Sequence, residues 1–412
     1  MKRLLFLALP LLLNAESLKS LLQYAQANNE LVVSQKYIEQ SKQKELDSVD
    51  SSYYPTVDAG LFYQREDDAT PFRPGTTYGA SVKVGFDIYD GGKKSYTSKQ
   101  KNSELTSAIF TSNDTKKSIA LGITQDFYNI KSLKASLDAR EEASKVLQAQ
   151  LERMLQFYDA KLATSDDVDR LQSAYDSNVY AIDSLKFEIL SLQSALELKV
   201  GKNIDSLDDS KFKKTLSQQS DELDSIGAMR ANRTAILNLS ETVNSYYYPN
   251  IRIEDTYSLY GYQDEPSMAG MAIEQLDNQN KIMATLNMRL VDFGAIGEQK
   301  AAIALQADAL NEQIKYKSKE QKMQLSLAIR RVETVKLNIK SSQSALKSAT
   351  SALKTITKKY NAGIVDNVVY LDALSSHTQA KAFNEKSIND LEIAYAMYYY
   401  YNSKNIEEFL ND

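Results

Sequence analysis

The 412-residue sequence predicts an α+β membrane protein, a long-helix α-barrel of coiled-coil helices plus a β-barrel to which each protomer contributes four strands, with an internal two-fold sequence repeat. Three observations predict it. The two halves of the chain echo one another, each half holds a segment of about 65 residues without proline, and four shorter segments have the length and alternation of membrane strands.

In chain order, Met1-Lys2-Arg3, the apolar run Leu4 to Leu13 and Asn14-Ala15 form the charged start, apolar stretch and small cleavage residue of a signal peptide over 1–15. Its removal takes Lys2 and Arg3 and leaves 47 basic against 54 acidic residues, net −7. No later stretch approaches the roughly 20 apolar residues of a transmembrane helix. An exported chain without a helical membrane anchor is expected.

The repeat is read from three echoes. Ser52-Tyr53-Tyr54-Pro55-Thr56-Val57 returns as Tyr246-Tyr247-Tyr248-Pro249-Asn250-Ile251, Asp90-Gly91-Gly92 as Asp292-Phe293-Gly294, and Phe157-Tyr158-Asp159-Ala160 as Lys359-Tyr360-Asn361-Ala362. The offset is 194 residues for the first echo and 202 for the other two. A unit of about two hundred residues has been duplicated. The repeats are expected at 16–202 and 226–401, with a linker or equatorial segment at 203–225 and a tail at 402–412.

Each repeat reads as short helix, two strands and two long helices. The strands are expected at about 53–64 and 77–90, then 248–261 and 280–292. Tyr78, Ala80, Val82, Val84, Phe86 and Ile88 alternate with Gly79, Ser81, Lys83, Gly85, Asp87 and Tyr89, and Ile282, Ala284, Leu286, Met288 and Leu290 alternate with Thr285, Asn287 and Arg289. Polar connections with Pro and Gly lie between the paired strands, Arg65 to Thr76 and Tyr262 to Asn280. The long helices are expected at about 93–157, 167–200, 295–359 and 366–401. At 1.5 Å per residue the two longest reach on the order of 100 Å. Leu346, Ala349, Leu353, Ile356 and Tyr360 step by three and four, as do Ile182, Leu185, Ile189, Leu192 and Leu196. Such thin seams suit helices side by side in a sheet or tube, with little core of their own.

Four strands cannot close a barrel, because about eight are needed before an interior forms, and hydrocarbon tolerates no open edge. The strands therefore demand other copies, and apolar-out, polar-in alternation makes the interior wet. Tyr53, Tyr54, Tyr78, Tyr89, Tyr246, Tyr247, Tyr248 and Tyr260 near strand ends suit an aromatic girdle at the lipid headgroups, and the 26 tyrosines are expected at strand ends and helix tips.

Composition excludes much else. Without cysteine there is no thiolate chemistry, Cys-based metal site, disulfide or cysteine lipid anchor, and the single His377 rules out any site needing two imidazoles. A net charge of −5 offers no basic field for nucleic acid. Asp90-Gly91-Gly92-Lys93-Lys94-Ser95 lacks the earlier glycine of a phosphate loop, and Asp292-Phe293-Gly294 lacks the rest of a kinase site. Both read as strand-to-helix turns. His377 reads as a solvated side chain, and Glu141-Glu142, with basic neighbours one turn away, as solvated helix surface. No enzyme, cofactor or metal is expected.

On these residues the sequence resembles the TolC family of outer-membrane efflux and secretion channels. The marks are Tyr53 to Pro55 and Tyr247 to Pro249 opening the first strand of each half, and Asp90-Gly91-Gly92-Lys93 at the strand-to-helix junction. The tips Tyr158-Asp159-Ala160 and Tyr360-Asn361-Ala362-Gly363, the latter leading to Val369-Tyr370-Leu371-Asp372-Ala373, complete them. The resemblance implies a homotrimer with one twelve-stranded barrel and a twelve-helix periplasmic tunnel. Its entrance, closed by helix tips, opens when a periplasmic adaptor and an inner-membrane transporter of RND or ABC type dock. It also places Asp372 on a constriction aspartate, Asp167 on a latch aspartate and Tyr360 on a latch tyrosine. Val365 stands where the family has a latch arginine, and Val369 where it has a second constriction aspartate.

The tip residues also have a plain local reading. Asp166 and Asp167 begin one helix and Asp366 another, where carboxylates cap free N–H groups, and for Asp167 capping and gating can coexist. Asp372 lies beyond capping range, on a solvated face or, near a three-fold axis, in an acidic ring that favours cations. The function expected is a passive exit duct in the outer membrane of a Gram-negative bacterium, extending into the periplasm, for tripartite efflux or type I secretion. The alternative is a secreted coiled-coil structural or adhesive surface protein.

Overall fold

The computed structural model describes residues 16–67, 74–216, 220–263, 267–268, 271–272 and 275–411, so the expected signal peptide lies outside the described residues. The elements are α1 (Leu18–Asn28), α2 (Glu30–Ser51), β1 (Thr56–Arg65), β2 (Thr76–Asp90), α3 (Lys93–Asp159), α4 (Ser165–Val200) and α5 (Asp224–Asn244). They continue as β3 (Asn250–Gln263), the two-residue strands β4 (Ser267–Met268) and β5 (Met271–Ala272), β6 (Asn278–Asn287), α6 (Ala295–Asn361) and α7 (Asn367–Tyr401). Among the described residues no helix is long and apolar enough to cross a membrane. The backbone divides into two compact units, Tyr37–Phe110 with Ile226–Tyr316, and Met1–Lys36 with Thr111–Ser225 and Lys317–Asp412.

The first of these units carries a four-stranded antiparallel sheet in the order β1-β2-β3-β6. Its registers reproduce the repeat. Carrying Thr56 forward by 194 and Gly85 by 202 turns the pair Thr56↔Gly85 into Asn250↔Asn287, the terminal pair of β3 and β6. The eight residues by which the offset grows therefore fall in the β3–β6 connection, beyond Leu259↔Asn278. β1 and β3 begin directly after Pro55 and Pro249, whose missing N–H cannot join the ladder, so Tyr53-Tyr54 and Tyr246 to Tyr248 lie in the preceding turns and not in strands.

Register assigns the faces. Val57, Ala59, Leu61 and Tyr63 share one face with Val84, Val82, Ala80 and Tyr78, and that face continues through Ile253, Tyr257 and Leu259 to Ile282, Ala284 and Leu286, with the charged Asp255 set between Val84 and Ile282. It is open to the surroundings, with Leu61 88% and Ile282 72% exposed. Nine exposed side chains on it, Val57, Leu61, Val82, Val84, Phe86, Ile253, Leu259, Ile282 and Leu286, together forgo on the order of 8–15 kcal/mol of burial. That is comparable with a typical domain's whole stability. The opposite face is polar. On it Arg252 bonds Asp87 and Glu254 at 2.9 and 2.8 Å, Glu254 meets Lys83 at 2.8 Å, and Lys94 meets Asp87 at 3.3 Å. Gly85 makes room for this, since a Cβ there would stand 2.4 Å from the Arg252 guanidinium. Tyr260, expected in the girdle, lies on this polar face because it pairs with Gly79, and its ring meets Phe62 edge-on at 5.8 Å.

The expected strand over 280–292 stops at Asn287. In the first repeat the counterparts of 288–292, residues 86–90, are paired by β3 alone, because β1 ends opposite Gly85. β6 is a sheet edge and has no further strand beside it among the described residues.

The second unit holds more core than thin seams suggest. Leu18, Leu21 and Leu22 of α1 pack with Ile123, Phe127 and Tyr128 of α3, Leu196 and Val200 of α4, Val332 of α6 and Leu391 to Tyr399 of α7. Tyr128, Tyr395, Tyr398 and Tyr399 are fully buried there, contrary to the expectation that tyrosines gather at strand ends and tips. The equatorial segment is strapped onto this core. Phe212 packs between Tyr128 and Tyr399 with tilted rings, and its backbone N–H donates to the Glu392 carboxylate at 2.8 Å. Burial holds Glu392, 3% exposed, above the ordinary carboxylate range despite Lys214 at 3.7 Å.

Candidate helix-tip site

The chain reverses twice between long helices, and both reversals use one local solution. After α3, Ala160, Lys161 and Leu162 donate backbone N–H bonds to Gln156, Tyr158 and Phe157; after α6, Ala362, Gly363 and Ile364 donate to Lys358, Tyr360 and Lys359. This is the bond pattern of a helix end closed by a left-handed residue. That residue is Gly363 (φ 70°) in the second tip and Lys161 (φ 62°) in the first. Each tip then starts a capped helix. The Thr164 hydroxyl accepts from the Asp167 N–H at 3.3 Å, the Asp167 carboxylate accepts from the Thr164 N–H at 3.3 Å, and Asp366 accepts from the Val369 N–H at 3.0 Å.

Asp167 does more than cap. Asn367 Nδ2 donates to both the Asp167 carboxylate and its backbone carbonyl, each at 3.2 Å, joining the first turn of α4 to the first turn of α7. Asn367 is buried, and a hydrogen bond to a charged partner contributes about 1.5–3 kcal/mol. Beside it the Tyr360 ring stacks on Tyr370 at 4.7 Å and 12°, tying α6 to α7. Tyr370, 2% exposed, centres a small cluster with Ala143, Leu147 and Leu374. Burial raises the pKa of both tyrosines, which stay neutral hydrogen-bonding groups. Arg153 of α3 donates to Asn361 of α6 at 2.9 Å and its guanidinium covers Phe157.

The structure thus brings Asp167 and Tyr360 into neighbouring contacts and leaves the other candidates apart. Asp366 caps α7, Asp166 is exposed and paired with Arg170 at 2.8 Å, and Asp372 is exposed on α7. Val365, at the expected arginine position, is half-buried, and Arg153 is the guanidinium that ties the tips. Sequence reasoning missed Asn367, Tyr370 and Arg153. The first two were within reach, because Asn367, Tyr370 and Leu374 are spaced as a buried helical stripe with an amide at its head. Glu141 and Glu142 lie on a solvated surface, as expected, and also reach across to neighbouring helices. Glu142 meets Lys381 at 2.7 Å, which lowers its pKa, and Glu141 meets Lys186 at 3.8 Å. Among the described residues no group of three or more His, Asp or Glu side chains could hold a metal. The tip has ring stacking, helix caps and inter-helix hydrogen bonds.

Comparison with solved structures gives the class to which this fold belongs. The Campylobacter jejuni outer membrane channel CmeC matches with a TM-score of 0.83 at 14% identity, over 94% of this chain and 85% of that one. The Vibrio cholerae outer membrane protein VceC matches at 0.79 and 14% over 94% and 96%, and the Neisseria gonorrhoeae outer membrane channel MtrE at 0.79 and 11% over 94% and 89%. No family model and no curated protein matches the sequence. At such identities the likeness is one of fold. The chain has the fold of the TolC-type outer-membrane channels, long helices joined to a four-stranded β-domain, as the resemblance in its motifs implies.

Proposed function

We propose that the chain is the outer-membrane exit duct of a tripartite efflux or type I secretion system. Three copies would close a twelve-stranded barrel with the apolar sheet face toward lipid, and their helices would continue it as a tunnel into the periplasm. The observation that carries this reading is the sheet itself, with four strands of 10 to 15 residues, one largely apolar exposed face and two open edges. The fold likeness supports it. The Asp167–Asn367 tie and the Tyr360–Tyr370 stack act as the resting latch, released when a periplasmic adaptor and an inner-membrane transporter dock. Asp372 supplies a ring of three carboxylates.

Cell fractionation and planar-bilayer recording test this. The full chain is expected in the outer membrane and to conduct ions, and Asn367→Ala is expected to raise its conductance. Recovery in the soluble secreted fraction, without conductance after reconstitution, would sink the channel reading. A conducting chain whose Asn367→Ala variant is unchanged would remove the latch alone.

A further inference from the structure

We infer that β6 of one copy pairs with β1 of the next in the register that the internal repeat dictates, with Arg289 paired to Asp58 of the next copy. This rests on the proposed shared barrel and fixes which residues make its joints. Within the chain, the shifts of 194 and 202 convert the β1–β2 register into the β3–β6 register along all ten pairs, Val57↔Val84 into Ile251↔Leu286 and Arg65↔Thr76 into Leu259↔Asn278. The remaining pairing, β2 with β3, joins the second strand of the first repeat to the first strand of the second. Its counterpart joins the second strand of the second repeat to the first strand of the first, which only another copy supplies.

Carrying β2 forward by 202 and β3 back by 194 gives the joint. Val84↔Asp255 becomes Leu286 opposite Leu61, Gly85↔Glu254 becomes Asn287 opposite Gly60, Phe86↔Ile253 becomes Met288 opposite Ala59, and Asp87↔Arg252 becomes Arg289 opposite Asp58. The chemistry agrees on both faces. Leu286, Met288, Ala59 and Leu61 extend the apolar face, whereas a slip by one residue would set apolar side chains against the polar face. On the polar face the ion pair of Asp87 with Arg252, 2.9 Å, recurs with its signs exchanged between the strands. Gly60, two residues from Asp58 on the same face, puts no side chain beside the guanidinium, as Gly85 puts none beside Arg252. The joint also gives residues 288–291 the partner they lack. Met288, Leu290 and Val291 are 48%, 81% and 69% exposed, and they correspond to 86–89, which are strand only because β3 lies beside them.

The chain has no cysteine, so Ala59→Cys with Met288→Cys introduces the only two thiols. Directly opposed residues of antiparallel strands stand about 4.5–5.5 Å apart at Cα, within disulfide reach. Copper-phenanthroline oxidation of membranes holding the full chain is expected to give covalent dimers and trimers on denaturing gels. Tyr63→Cys with Met288→Cys, four residues out of register, is expected to give none. Cross-linking of the shifted pair in place of the aligned one would overturn the register and leave the shared barrel standing. A chain that forms no cross-link and is monomeric by light scattering would overturn the shared barrel itself. For the ion pair, Arg289→Glu is expected to lower the temperature at which the detergent-solubilised trimer dissociates, and adding Asp58→Arg to restore most of the loss. A double variant weaker than both single variants would overturn that contact.

Discussion

Asp372 and Glu392 stand on the same helix and illustrate opposite fates of a carboxylate. Asp372 is exposed on α7, five residues beyond its first residue and outside the reach of the N-cap. If three copies turn it toward the axis, Asp372→Ala weakens block of reconstituted channels by multivalent cations several-fold, and unchanged block shows that the side chain points elsewhere. Glu392 is buried and its folded pKa is raised by that burial. The contribution to stability of such a group is full below its unfolded pKa and declines as pH rises through the folded one. Glu392→Gln keeps an acceptor for the Phe212 N–H and removes the titration. The wild-type melting temperature is therefore expected to fall relative to that of the variant as pH goes from 4.5 to 8, and parallel curves would exclude Glu392 as the titrating group.

At the scale of the element, the two tips separate backbone strain from packing. Lys161 takes the left-handed conformation that Gly363 takes in the other repeat, at a cost of about 1–2 kcal/mol that glycine escapes. Lys161→Gly is expected to stabilise by about 1 kcal/mol and Gly363→Ala to destabilise by a similar amount, measured by chemical denaturation. Gly91→Ala is expected to cost more, because its φ is 71° and a Cβ would meet the Ser245 carbonyl at 2.4 Å. Equal losses at 91 and 363 would mean that the close approach is relieved by movement. The elements were largely legible in the sequence because period and composition state them locally: alternation for β2, and the acidic residues Asp166, Asp167 and Asp366 that begin α4 and α7. The end of β6 was not legible, since strand-like residues become strand only beside a partner. Nor was the burial of Tyr395, Tyr398 and Tyr399, where a run of tyrosines carries no mark of which tertiary surface covers it. Of the tip, the caps could be read, but the Asn367 bond to Asp167 joins residues 200 apart and is visible only in the fold.

For the whole molecule, duplication has not produced two independent halves. Phe127 and Leu196 from the first repeat share one cluster with Val332 and Tyr395 from the second, and the strap residue Phe212 sits in it with Glu392 as its hydrogen-bond partner. Residues 16–202 expressed alone are expected to be protease-sensitive, and co-expression with 203–412 to restore resistance. A half that folds alone would show that the shared core is dispensable.

The placement of the eight additional residues, all in the β3–β6 connection, has a further consequence for symmetry. Beyond that connection α3 and α6 are each 67 residues long and their tips close with the same backbone bonds. In the proposed trimer the six tips would come close to six-fold symmetry, with lysine and glycine alternating among them, so a partner that grips them would meet six almost equivalent footholds.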